Sequence, residues 1–180
     1  MQLPLKSVYR QQAAKLAYRR ALAYEQQQSY PQAIDAFTQA IAKDYVGSFE
    51  ALVRRGVNRV KVNDLDGAIA DFEAVIQSDA SPDNSADTSS KLPLAQAYYQ
   101  RGVLRQQRGD SSRALADWSN AIAQYPKYPQ PYAQRALMLL AQGEHDRAIA
   151  DLNSAIAADP TFASAYLQRG NLRHQLGDVL

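Results

Sequence analysis

The chain has 180 residues, 46% hydrophobic and 21% charged, with a formal net charge of +2 and no cysteine. This is the composition of an ordinary soluble domain, and it excludes disulfide frameworks and thiolate metal sites. No apolar run approaches the length of a membrane span and Met1 to Gln12 has no signal-peptide core, so the chain reads as cytoplasmic unless an anchor or leader has been trimmed from it.

The opening segment carries Pro4 and then mostly polar residues with no breaker, which predicts one helix over about Ser7 to Gln28. Tyr30-Pro31 restarts the chain, with Pro31 suited to the first turn of a second helix ending near Lys43. The next helices are expected at about 49–62 and 66–79, split by Asn63-Asp64, a turn and N-cap signal. Asp83 to Leu94 reads DNSADTSSKLPL, and its Ser, Asp, Asn and Thr side chains compete for backbone hydrogen bonds, so 83–94 is expected to be an inserted surface loop. Helices should follow at about 95–108, 112–125, 130–142, 146–158 and 163–176.

These elements are copies of one unit. In residues 129–162, Tyr132, Arg135, Ala136 and Leu139 form one apolar stripe, Gly143-Glu144 is a turn, Ala148, Leu152, Ala155 and Ile156 form a second stripe, and Asp159-Pro160 closes the pair. Shifted by thirty-four residues, 95–128 supplies Tyr98, Arg101, Gly102, Gly109-Asp110, Ala114, Trp118 and Ala121 at the same places. Residues 49–82 repeat the scheme with Leu52, Arg55, Gly56, Asn63-Asp64, Ala68, Phe72 and Val75; 14–47 is a looser copy with Arg20, Ala21, Ala33, Phe37, Ala40 and Asp44. A last copy, 163–180, holds Tyr166, Arg169, Gly170 and Gly177-Asp178, which is a first helix alone.

The pattern resembles the tetratricopeptide repeat (TPR) family: helix-turn-helix units of thirty-four residues, with small side chains at the eighth, twentieth and twenty-seventh positions and an aromatic near the twenty-fourth. Proline is missing after Asp44 and Asp79, and tyrosine, leucine or alanine stands where the family has tryptophan at the fourth position. The resemblance implies an all-α, right-handed superhelical solenoid of four full repeats plus one terminal helix, forming a single domain over 1–180.

Chemistry-bearing motifs are absent from the sequence. His145 and His174 lie in different repeats, and no HExxH, GxGxxG, GxxxxGK or GxSxG pattern occurs, so no enzyme, metal or cofactor is expected. Asp64, Asp110 and Asp146 fall at helix starts, where they favour the helix dipole. Lys6, Arg10, Lys15, Arg19 and Arg20 make the first helix basic, but aromatic interleaving for base stacking is sparse, which disfavours nucleic acid or anionic membrane as partner.

Arginine holds the seventh position of all five copies, and three of these are followed sixteen residues later by an acid. Arg55 with Asp71, Arg101 with Asp117, and Arg135 with Asp151 are expected to face each other across a hairpin as structural ion pairs.

In TPR proteins positions five and nine of each first helix line the concave surface, which by resemblance makes Val53, Val57, Tyr99, Val103, Ala133, Leu137, Leu167 and Asn171 a partner-binding groove. Gln96, Gln100, Gln130, Gln134 and Gln168 would flank it as amide walls. Such a lining departs from TPR domains that clamp chaperone carboxylates through lysine and asparagine at those positions, and it suits a peptide or helix of a partner protein. The competing reading is that Tyr99 and its aliphatic neighbours only pack between adjacent helices. The functional expectation is therefore a protein-interaction module, with a self-associating scaffold and a basic-surface binder as alternatives. The terminal helix, with Tyr166, Leu167, Leu172 and Leu176, should cap the array and support weak homodimerisation.

Overall fold

The computed structural model describes residues 3–43, 48–79 and 91–177. Among these residues the chain forms nine helices and no strand: α1 (Leu3–Gln26), α2 (Tyr30–Ala42), α3 (Ser48–Lys61), α4 (Leu65–Asp79), α5 (Lys91–Gln107), α6 (Ser111–Gln124), α7 (Pro129–Ala141), α8 (His145–Ala158) and α9 (Ala163–Gln175). Two helices begin earlier than their sequence suggests. Pro4 and Pro93 lie in the first turns of α1 and α5, where a missing N–H costs no intrahelical bond. Leu94, expected in the loop, is helical and buried, and so anchors the start of α5. Residues 83–90 of the expected loop, with Asp44 and Asp178, lie outside the described residues.

The hairpin turns share one backbone device. The fifteenth residue of every copy is left-handed: Gln28 at φ 57°, Asn63 at 63°, Gly109 at 80°, Gly143 at 77° and Gly177 at 79°. The next residue's N–H reaches back to the eleventh position's carbonyl, at 2.9 Å for Ser29 to Tyr24, 2.8 Å for Asp64 to Arg59, and 2.9 Å for both Asp110 to Arg105 and Glu144 to Leu139. This closure satisfies carbonyls that a helix end otherwise leaves bare. The α1 end was expected at Gln28; it falls at Gln26 because Gln28 itself makes the turn. Side-chain caps then start two of the second helices: Asp64 accepts from the Gly67 N–H at 3.0 Å, and Asp110 from that of Arg113 at 3.2 Å.

The chain divides into two compact units, Met1–Pro93 and Leu94–Leu180. In the first, Ala17, Tyr18 and Ala21 of α1 pack on Ala33, Ala36, Phe37 and Ala40 of α2, and Ala51 of α3 joins them; the Tyr18 and Phe37 rings meet edge to face at 5.6 Å. In the second, Trp118 of α6 packs with Ala114 and with Met138 of α7, and further along Ala136, Leu139, Ala148, Leu152, Ala155, Ala165 and Leu172 tie α7, α8 and α9 together. Alanine at the close approaches lets neighbouring helices come near while larger side chains fill the spaces between them.

Candidate functional site

In the second unit the first helices of the repeats, α5, α7 and α9, carry most of the expected groove residues, and the structure separates these into two groups. Leu137 of α7 with Gln168 and Asn171 of α9 line one cavity of about 190 Å³, together with Ala136, Leu140, Ala148, Leu152, Leu172 and Gln175. Its walls are aliphatic and its rim on the α9 side is amide. Leu137 and Leu167 keep 40% and 66% of their surface exposed, so both can contact a partner without rearrangement. The cavity falls below the roughly 300–1,000 Å³ of small-molecule sites. It is the size for an apolar side chain delivered by a longer ligand.

The Gln168 side chain donates from Nε2 to Ser164 Oγ at 3.1 Å, while its Oε1 is buried with no partner among the described residues. Gln130 Oε1 is in the same condition. Buried amide oxygens of this kind are acceptors that a ligand N–H could satisfy.

The other group packs inward. Tyr99 and Val103 of α5 lie against Ala114, Trp118 and Met138; the Tyr99 ring meets Tyr128 edge to face at 5.3 Å, and its hydroxyl pairs with the Gln134 amide. Burial pushes the Tyr99 phenol up, partly offset by that hydrogen bond, and it pushes the Tyr128 phenol up strongly. Tyr99, Val103 and Gln134 thus join one repeat to the next. Ala133 is buried, and Gln96 and Gln100 are half-buried. In the first unit Val53 is buried and Val57 half-buried.

The seventh-position arginines form a second constellation. Arg55 donates to both carboxylate oxygens of Asp71, at 3.0 and 2.6 Å; Arg101 does so to Asp117 at 3.1 and 2.8 Å, and Arg135 to Asp151 at 2.7 Å twice. All three aspartates are buried, and the bidentate fork is the geometry that compensates burial of a carboxylate. Three features of this constellation are not part of the sequence expectation. Arg59 and Arg105, four residues on, grip the same carboxylates at 3.0 Å (Asp71) and 2.8 Å (Asp117). The arginines also reach the preceding repeat: Arg55 to Thr38 Oγ1 at 3.0 Å, Arg135 to Ser119 Oγ at 2.9 Å and Arg169 to Asn153 Oδ1 at 2.7 Å. In each case the acceptor stands at position twenty-five, a regularity present in the sequence. In the first unit Glu25 of α1 joins α3 by accepting from Arg54 and the buried Asn58, both at 2.9 Å.

Among the described residues no group of three His, Cys, Asp or Glu side chains could hold a metal ion, and no helix is long and apolar enough to cross a membrane.

Comparison with known proteins agrees with the helical arrangement. A family model described as tetratricopeptide repeat matches residues 5–45 and 18–85, a second so described matches 96–128, and one described as TPR repeat matches 136–177. No curated protein matches the sequence. Solved structures similar to this chain include the MamA protein (22% identity, TM-score 0.64, covering 92% of this chain and 83% of that one) and a tetratricopeptide repeat protein from Parabacteroides merdae (14%, 0.68, 93% and 61%). A thermophilic TPR protein from Thermus thermophilus is a third, at 21% identity and TM-score 0.62, covering 92% of this chain and 84% of that one. At these identities the likeness is one of fold.

Proposed function

Since the chain belongs to the tetratricopeptide repeat family, an all-α solenoid of helical hairpins whose members are in general non-enzymatic scaffolds, we propose that it is a protein-interaction module. Its site is the face formed by α7 and α9, and its ligand is a peptide or helical segment of a partner protein. The observation that carries this reading is the cavity that gathers Leu137, Gln168 and Asn171. An aliphatic pocket supplies affinity through a buried anchor side chain, and the amide rim, with the unpaired Gln168 Oε1, supplies orientation. Lysine and arginine are absent from that lining, so the ligand is recognised by shape and apolar burial and not by a terminal carboxylate.

The test is selection of peptides from a displayed library on the immobilised protein, followed by amide chemical-shift mapping. Selected peptides should shift Leu137, Gln168 and Asn171, and Leu137→Glu should abolish their binding while the protein keeps its helical spectrum. Peptides that map elsewhere and bind the variant as well as the parent sink the assignment.

A further inference from the structure

The α7–α9 cavity lies where the fold buries an indole one repeat earlier. Trp118, at the twenty-fourth position of its repeat, fills the junction of α5, α6 and α7, packed on Ala114 and Met138 and so close over Gly102 that a Cβ there would sit 2.6 Å from its Nε1. At the same places one repeat on stand Leu152, Ala148, Leu172 and Ala136, and all of them line the cavity of about 190 Å³. Leucine replaces a bicyclic ring by a small branched chain, and the methyl of Ala136 restores only one carbon of what is lost. A junction that is close-packed around Trp118 therefore becomes a void around Leu152.

The size and polarity of that void restrict what can fill it. An apolar cavity of about 150 Å³ holds a benzene ring, so this one has room for a larger ring. Its lining carries no charged side chain, which excludes a buried Lys, Arg, Asp or Glu. One lining atom needs a donor, since Gln168 Oε1 is buried with no partner among the described residues. Its counterpart one repeat earlier, Gln134, pairs with the Tyr99 hydroxyl, but Ala133 stands at the place of Tyr99 and has no hydroxyl to offer. Leucine, isoleucine, methionine or phenylalanine would fill volume and leave that oxygen desolvated and unpaired. Ala136 has the Cβ that Gly102 lacks, so an incoming ring cannot lie as deep as Trp118 does and sits nearer the mouth, beside Leu137 and Gln168.

We propose that the α7–α9 cavity selects a tryptophan side chain of the partner segment. The indole lies between Leu137, Leu152 and Leu172 and donates its N–H to Gln168 Oε1, the pairing that a buried indole requires. This inference rests on the α7–α9 face being the peptide site, and it names the side chain that the site reads.

The test titrates N-acetyl-tryptophanamide, its 1-methylindole analogue and the corresponding tyrosine, phenylalanine and leucine amides into the 180-residue protein, following the methyl resonances of Leu137, Leu152 and Leu172. The tryptophan amide should saturate those shifts at the lowest concentration. Methylating the indole nitrogen should weaken binding about tenfold in the parent, because the acceptor is then buried without a partner. It should change little in Gln168→Met, which keeps the length of the side chain and removes the acceptor. The double replacement Ala136→Gly with Leu152→Trp rebuilds the earlier junction from the chain's own residues and should abolish binding while the helical spectrum is retained. If that pair fails to fold, the methylation comparison between the parent and Gln168→Met still decides. Absence of binding overturns the proposal, as does a tyrosine, phenylalanine or leucine amide that binds as tightly as the tryptophan amide, or a 1-methyl analogue that binds the parent equally well. Library peptides separate this failure from that of the underlying reading. Peptides that map to Leu137, Gln168 and Asn171 without a tryptophan overturn the anchor alone, whereas peptides that map elsewhere overturn the site itself.

Discussion

Trp118 occupies the space that any side chain on Gly102 would need, with its indole Nε1 2.6 Å from where a Cβ would stand. Gly170 holds the same repeat position with open space around it. The same substitution should therefore have opposite signs at the two sites. Gly102→Ala must displace a fully buried ring, at a cost of about 1–3 kcal/mol that outweighs the gain in helix propensity. Gly170→Ala has only that gain, about 0.5–1 kcal/mol. Urea unfolding of the two variants measures both, and equal signs would show that the packing of Trp118 is looser than this geometry.

Asp117 is buried between Arg101 and Arg105, so it cannot be removed without leaving two half-buried cations facing each other. Asp117→Ala should cost about 3–5 kcal/mol. Because Arg105 shares the carboxylate, removing Arg101 with Asp117 still leaves one charge. The informative comparison is the apolar triple replacement Arg101→Met, Arg105→Met and Asp117→Leu, which should cost less than Asp117→Ala alone. Asp151 has Arg135 but Leu139 in place of the second arginine, so Asp151→Ala should cost less than Asp117→Ala. Chemical denaturation of the three variants decides it, and equal costs for the single and triple changes would remove the unpaired-charge account.

What is legible in the sequence follows from what repeats. Thirty-four-residue spacing places the hairpins, and the sixteen residues between Arg101 and Asp117 are visible on the page before the two side chains are seen to meet. Arg105 is not legible in the same way, because an arginine one turn further along a helix reads as a solvated charge until the carboxylate it reaches is known. Tyr99 is ambiguous for a related reason: the fifth position of a first helix faces both the neighbouring helix and the open groove. Its ring goes to Tyr128 and its hydroxyl to Gln134, and Ala133, at the fifth position of the next repeat, is buried, whereas Leu137 at that repeat's ninth position stays 40% exposed. The starts of α1 and α5 fall before the expected ones, at Leu3 and Lys91, because polar residues and a proline fit the first turn of a helix as readily as a loop.

Gln28 holds a left-handed conformation, φ 57°, at the turn position where three other copies use glycine. A side chain there costs about 1–2 kcal/mol relative to right-handed backbone, and glycine does not bear that penalty. Gln28→Gly should raise stability by about 0.5–1 kcal/mol once the larger entropy of the unfolded glycine is subtracted. Gly143→Ala, the reverse change in the second unit, should lower it by a similar amount. Thermal unfolding of the two variants reads the difference, and a destabilised Gln28→Gly would mean that the Gln28 side chain contributes more than its backbone costs.

The Tyr99 and Tyr128 pair makes stability fall on the alkaline side. Burial raises both phenols in the folded protein, most strongly Tyr128, while in the unfolded chain they ionise near ~10. Between those two values the unfolded state holds fewer protons than the folded one, so the stabilisation is complete below pH ~10 and is lost as pH rises beyond it. Each raised tyrosine adds a slope of up to about 1.4 kcal/mol per pH unit in that window. Tyr128→Phe cannot ionise and keeps the ring against Tyr99, so its unfolding free energy should decline less steeply than the parent's between pH 9 and 11.5. Urea titrations across that range compare the two slopes directly, and parallel slopes would show that the Tyr128 hydroxyl reaches solvent in the folded protein.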